Sequence, residues 1–219
     1  MKIVNFAETN SVLNQYVAEI RDVAVQNDRM RFRRNIERIG EMMAYEMSKE
    51  LTYSVKQVQT PLGIAPVSTP DDEVVIATVF RAGLPLHTGF LNVFDRAGNA
   101  FVSAYRYYKD KECRVVDVHI EYIATPDLTN KTLMLVDPML ATGESMELAW
   151  RGFLTKGTPA RLQIACVIAS QQGVDHLAKL SPGDEVTLWC AAIDRDMDDH
   201  SYIVPGLGDA GDLAFGEKM

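Results

Sequence analysis

Apolar positions along the chain follow two periods. From Arg29 to Leu51, the residues Phe32, Ile36, Ile39, Met43 and Met47 recur at spacings of four, three, four and four. That pattern predicts an amphipathic helix with Asp28 as its N-cap. The methionines on its face suit core or interface filling. Ser11 to Gln26 predicts an earlier helix carrying Val12, Tyr16, Val17 and Ile20 on one side. Between Leu51 and Ser68 the breakers Pro61, Gly63 and Pro66 interrupt Thr, Val and Gln, which predicts extended segments and turns. The mostly apolar run from Glu73 to Phe80 predicts a buried strand ending at Arg81. A helix over Leu84 to Phe94 follows, with Pro85 tolerated in its first turn. Ala100 to Tyr105 reads as a strand, and Val115 to Tyr122 as its hairpin partner across a polar tip from Arg106 to Arg114. The second half reads as strand 132–136, helix 144–155, strand 161–169, helix 173–180 and strand 185–192. Short turns fall at Gly157–Pro159 and Ser181–Asp184.

Strands alternating with helices imply an α/β fold with a mainly parallel central sheet flanked by helices. Functional loops are then expected at the C-terminal edges of the strands. No repeat, low-complexity stretch or linker divides the chain, so residues 1–219 read as one domain. Its N-terminal helical segment is about 1–50, and a glycine-rich C-terminal segment covers about 194–219.

Composition narrows the function. At 219 residues with 47% apolar and 24% charged content, the chain can bury a substantial core. A net charge of −8 argues against a broad basic face, so no nucleic-acid partner is expected. An anionic substrate must then be drawn in by local arginines and backbone amides. Cys113, Cys166 and Cys190 lack metal-ligand spacing. Cys166 and Cys190 lie in apolar runs and predict buried thiols, Cys113 lies among charges and predicts an exposed one, and the set fits a reducing cytoplasm. Glu8, Glu19, Arg21 and Asp22 interrupt any apolar N-terminal core, so neither a signal peptide nor a membrane span is expected. Asp194, Asp196, Asp198 and Asp199 lack the spacing of a calcium loop and predict a solvated turn.

The most informative run is Leu133-Met-Leu-Val-Asp-Pro-Met-Leu-Ala-Thr-Gly-Glu-Ser145. Four apolar residues predict a short strand, Asp137 sits where it should end, and a small-residue loop leads into the helix. Amides at a helix start attract phosphate oxygens. Thr142 and Ser145 add hydroxyl donors, and Asp137 offers a carboxylate to ribose hydroxyls. The run lacks the Gly-Lys-Ser/Thr of a Walker loop and the Gly-x-Gly-x-x-Gly of dinucleotide sites.

This segment resembles the ribose-5-phosphate loop of type I phosphoribosyltransferases, and its Asp-Pro-Met-Leu-Ala-Thr-Gly form is that of the uracil phosphoribosyltransferase family. Two further blocks agree in order and spacing: Arg81-Ala-Gly-Leu84 after an apolar strand, and Tyr202-Ile-Val-Pro-Gly-Leu-Gly-Asp-Ala-Gly-Asp212 near the C-terminus. The resemblance implies a type I phosphoribosyltransferase-like fold with a β-hairpin arm and a small C-terminal base-binding hood. It implies transfer of the phosphoribosyl group from phosphoribosyl pyrophosphate to uracil, giving UMP and pyrophosphate.

The resemblance also assigns residues. The phosphoribosyl pyrophosphate site comprises Arg81, Arg106, Asp137, Pro138, Met139, Leu140, Ala141, Thr142, Gly143, Glu144, Ser145 and Asp209. Of these, Arg81, Arg106, Asp137 and Asp209 carry the catalytic assignment. Uracil is read by main-chain groups around Ile203, Gly208, Asp209 and Ala210. Magnesium arrives with the substrate, and no dedicated protein metal site is expected. The family forms dimers or larger homo-oligomers. Glu144 stands where the family carries glycine, and its carboxylate is expected to point to solvent in the first helical turn. Lys109, Lys111 and Arg114 suit a solvated hairpin tip, and His87 carries no assignment. A non-catalytic nucleotide-sensing regulator on the same fold is the alternative. The acidic balance and the retention of both arginines weigh against it.

Overall fold

The computed structural model describes residues 1–108, 116–181 and 186–218, with residues 104–108 and 116–120 described by backbone alone. A seven-stranded sheet forms the centre. In chain order its strands are β1 (Lys2–Asn5), β4 (Val74–Phe80), β5 (Gly98–Tyr108), β6 (Val116–Ala124), β7 (Thr132–Leu140), β8 (Arg161–Ser170) and β9 (Val186–Asp194). They lie in the spatial order β1-β9-β8-β7-β4-β5-β6. All neighbouring pairs are parallel except β5–β6. A separate antiparallel hairpin, β2 (Tyr53–Thr60) with β3 (Gly63–Pro70), stands outside this sheet.

Two apolar layers cover the sheet. On one face lie α1 (Leu13–Arg21), α2 (Arg29–Ser48) and α3 (Leu84–Val93). Phe32, Ile36, Ile39, Met43 and Met47 of α2 are buried there, as their spacing predicts, and Asp28 caps the helix by accepting from the Arg31 amide at 3.0 Å. On the other face, α4 (Glu144–Leu154) and α5 (Gln171–Leu180) cover a core that holds Leu133, Leu135, Cys166 and Cys190. Both thiols are buried, their sulfurs 3.4 Å apart.

Three expectations change. The first helix is shorter than Ser11–Gln26, because Asp22 turns the chain: its carboxylate accepts from Ala24 N at 2.9 Å, an alternative to helix bonding. Residues 2–5, expected within a helical segment, instead add a parallel edge strand to β9. Asp194, expected in a solvated turn, is only 8% exposed. The tip residues Lys109, Lys111, Cys113 and Arg114, and most of the turn Ser181–Asp184, lie outside the described residues.

Candidate active site

The strand carrying Asp137 is longer than its sequence indicates. Asp137, Pro138, Met139 and Leu140 all belong to β7, which continues its register along β8 as Asp137↔Cys166, Met139↔Ile168 and Leu140↔Ala169. Its other neighbour, β4, pairs with it only as far as Thr78↔Val136. Beyond that point β4 turns away at Arg81, and one edge of β7 is left open. Proline is tolerated at 138 for this reason, since a strand edge needs no donor there. Leu140 and Pro138 are buried, so only their main chain can reach a ligand.

Asp137 sits at the start of this open edge. Its Oδ1 accepts from the Met139 amide at 3.2 Å. Removal from water pushes its carboxyl up to about 7, with the Met139 amide pulling the other way. The carboxyl therefore stands ready to gain donors, and ribose hydroxyls are donors of the right kind.

After β7, Ala141 and Thr142 lead to Gly143, the N-cap of α4. Gly143 adopts φ +89°, a conformation that favours glycine, and a side chain there would meet the His176 ring at 2.8 Å. His176 is itself tied to Glu147 of α4, Nε2 to Oε2 at 2.7 Å. Ser170, the N-cap of α5, donates to the Ala141 carbonyl at 2.6 Å. The loop is thus braced from α5, while its amides at the start of α4 lack partners within the helix. Thr142 and Ser145 are half-buried, and Glu144 is exposed, as its place in the first helical turn predicts.

Arg81 follows β4 across a cis peptide with Phe80. Its Nη2 donates to Asp212 Oδ1 and to the Gly216 carbonyl, each at 3.0 Å. Arg106 lies on β5 opposite Val118 of β6, three residues beyond Ser103, the last β5 residue paired with β4. At a rise of about 3.3 Å per residue its backbone is roughly 10 Å beyond the last β4–β5 pair, where only the β5–β6 ladder continues.

The glycine-rich C-terminal block still holds a short helix: Ala210–Phe215 forms α6, with Asp209 as its N-cap accepting from Asp212 N at 2.9 Å. Capping offsets the helix cost of Gly211. Asp209 Oδ2 also binds Lys218 Nζ at 2.9 Å. Burial pushes the Asp209 carboxyl up, but the Asp212 amide and Lys218 outweigh it and hold the group below its ordinary range. Ile203 lies in β11 (Ile203–Val204), paired with β10 (Asp196–Met197), and is buried. Gly208 is exposed, with open space where a side chain would stand.

The C-terminal helix lies against the Arg81 loop: a side chain at Gly211 would stand 3.8 Å from Ala82 Cβ and 3.9 Å from Arg81 Nη2. Ile203, Leu207 and Ala210 belong to the core of the α1–α3 face, against which Ala82, Met139 and Ala141 also pack. His87 is elsewhere: buried in α3, it contacts Asn99 Oδ1 at 2.7 Å through Nε2 and packs on Phe101, and burial lowers its pKa. It serves packing. Sequence reasoning missed Ser170, His176, Asp212 and Arg21, because each acts across distances that no local pattern encodes.

Comparison with known proteins gives a consistent result. The family model described as uracil phosphoribosyltransferase matches residues 7–217. A uracil phosphoribosyltransferase of Porphyromonas gingivalis is 60% identical over 219 residues, covering 100% of both chains. One from Pyrococcus furiosus is 35% identical, over 97% of this chain and 89% of its own. A solved structure of an Aquifex aeolicus protein superposes with a TM-score of 0.86 at 28% identity, covering 98% of each chain. The orotate phosphoribosyltransferase of Mycobacterium tuberculosis shares the fold, with a TM-score of 0.52 at 13% identity over 87% of this chain and 94% of its own.

Proposed function

The chain belongs to the uracil phosphoribosyltransferase family, and on that premise we propose that it transfers the 5-phosphoribosyl group from phosphoribosyl pyrophosphate to uracil, forming UMP and pyrophosphate. One observation carries the reading for this chain: Arg81, at the end of a central strand, is bonded to Asp212 in the helix that follows the base-reading loop. That bond joins the arginine assigned to the leaving group with the chain segment that follows the residues assigned to the base.

The reaction breaks the bond from ribose C1 to pyrophosphate oxygen and forms one from C1 to uracil N1, which loses its proton. Positive charge grows on the sugar and negative charge on the leaving group, so positioning and charge stabilisation do most of the work. The amides and hydroxyls from Thr142 to Ser145 hold the 5-phosphate. Asp137 accepts from the ribose hydroxyls. Arg81 and Arg106 grip the pyrophosphate, a task that suits the planar guanidinium fork. Main-chain groups of Ile203, Gly208 and Ala210 read the edge of uracil, and a base of different substitution leaves buried groups unpaired. Asp209 sits beside the ribosyl group.

Magnesium accompanies the substrate. Asp137 and Asp209 carry hard carboxylate oxygens that would suit it. When bound, it neutralises charge on the pyrophosphate. We place the enzyme in the cytoplasm; among the described residues no helix is long and apolar enough to cross a membrane. We also propose a homo-oligomer, since the β2–β3 hairpin exposes Tyr53, Val55, Val58, Leu62, Ile64 and Val67 outside the main sheet.

The test is UMP formation from labelled uracil with phosphoribosyl pyrophosphate and Mg²⁺, beside cytosine, hypoxanthine and orotate. Product from uracil alone is expected. Product from another base, or from none, overturns the reading.

A further inference from the structure

The base-reading loop presents main-chain atoms, so its accuracy depends on whatever fixes the backbone. Residues 205–209 belong to no helix or strand, and Gly206 and Gly208 take φ +55° and +90°. Such a segment has little stiffness of its own. Yet Gly206 is held at both its main-chain groups. Its N–H donates to Asp194 Oδ2 at 2.9 Å, and its carbonyl accepts from Arg21 Nη1 at 2.9 Å. Arg21 and Asp194 are in turn locked to each other by two bonds, Nη1 to Oδ2 at 2.7 Å and Nη2 to Oδ1 at 2.9 Å. One residue further on, the Leu207 carbonyl accepts from Gln26 Nε2 at 3.2 Å, and the same amide group donates to Ile20 O at 2.9 Å. The pair lies at the junction of the end of α1, the end of β9 and the loop, with the Arg21 side chain 21% exposed and that of Asp194 9%.

This arrangement exceeds what a fold-stabilising ion pair requires. A pair joining α1 to β9 needs only the two side chains. Here the guanidinium spends a donor, and the carboxylate an acceptor, on the residue two places before Gly208. Bidentate guanidinium bonding adds geometric definition as well as energy, and the low exposure of the pair limits screening by solvent. Lysine at 21 could keep the charge but not the fork.

We propose that Arg21, acting through Asp194 and assisted by Gln26, is a positioning residue for the base-reading loop and sets the affinity of the enzyme for uracil. Arg21 touches no reacting atom. It holds Gly206 so that the groups of Gly208 and Ala210 meet the ring in register. The inference rests on the reading that this loop carries uracil.

The test compares wild type with Arg21→Lys, Gln26→Ala and the double variant Arg21→Met with Asp194→Asn. The double variant leaves no buried unpaired carboxylate, which single removal of the arginine would. Expected are a KM for uracil at least tenfold higher in the double variant, a smaller rise in the two single variants, and a KM for phosphoribosyl pyrophosphate within twofold of wild type. Amide hydrogen exchange should quicken at residues 203–210 and stay unchanged at residues 137–147. A lowered melting temperature with both KM values unchanged overturns the proposal, as does a parallel rise in both. If the double variant does not fold, Arg21→Lys and Gln26→Ala decide the matter by the same KM split. Failure of the underlying reading is separate: wild type itself then makes no UMP from uracil, and unchanged exchange at 203–210 in a folded variant still overturns the inference on its own.

Discussion

Arg81 Nη2 and Asp212 Oδ1 stand 3.0 Å apart, so the arginine proposed to hold pyrophosphate is already engaged with a carboxylate of α6. The two side chains are 41% and 30% exposed, and an ion pair so open to solvent adds little to stability. Its meaning is competitive: pyrophosphate must draw Arg81 away from Asp212. In Asp212→Asn the melting temperature should stay close to wild type while pyrophosphate inhibits more strongly, its inhibition constant falling several-fold. Arg81→Ala should lower kcat/KM for phosphoribosyl pyrophosphate by about 10²-fold or more, the scale for removing one transition-state donor. Initial-rate kinetics with pyrophosphate as product inhibitor checks both.

The carboxyl of Asp137, pushed up to about 7 by burial, makes two pH predictions. Between about pH 4 and 7 the folded chain keeps a proton that the unfolded chain has released, so this group makes stability fall as pH rises through that window. Asp137→Asn removes the loss and should melt higher than wild type at pH 8, with no such gain at pH 4. The proposed bonds from the ribose hydroxyls to Asp137 need the ionised acceptor, so the KM for phosphoribosyl pyrophosphate should fall in wild type as pH rises through about 7. The variant should bind weakly and lack that limb. Melting curves and KM measured from pH 5 to 9 decide both.

Gly83 tests how the Arg81 loop is coupled to the strand of Asp137. A side chain at 83 would fall on Thr78 Oγ1, which donates to the Val136 carbonyl at 2.9 Å. Gly83→Ala should therefore disturb β7 next to Asp137. Overpacking of this kind costs about 1–3 kcal/mol, readable in denaturant melts, and activity at a permissive temperature should fall with it.

Glu144 is exposed at the first position of α4. A carboxylate in water near a bound phosphate repels it weakly and is screened by salt. Glu144→Gln should lower the KM for phosphoribosyl pyrophosphate by no more than a few-fold, and the difference should vanish at high ionic strength. A large change at high salt would show that the side chain reaches into the site.

The alternation of apolar strands and helices made the parallel sheet legible, because each β-α unit carries its own local period. Asp137 and the loop to Ser145 were legible because strand, acid, small residues and helix start are contiguous in sequence. The extension of β7 to Leu140 was not, since it depends on where β4 stops pairing, and Pro138 reads locally as a breaker. Helix α6 was hidden by Gly211, whose helix cost is offset by an Asp209 cap that operates over three residues. Asp194 looked solvated among its acidic neighbours because its partner, Arg21, lies 173 residues away.

A crystal structure of the enzyme with UMP tests the central claim most directly. The account predicts the phosphate on the amides of Thr142 to Ser145, the ribose hydroxyls on Asp137, and the uracil edge on the main chain of Ile203, Gly208 and Ala210. A nucleotide whose base lies away from that loop, or whose phosphate sits on Arg81 with the 142–145 loop empty, would contradict it.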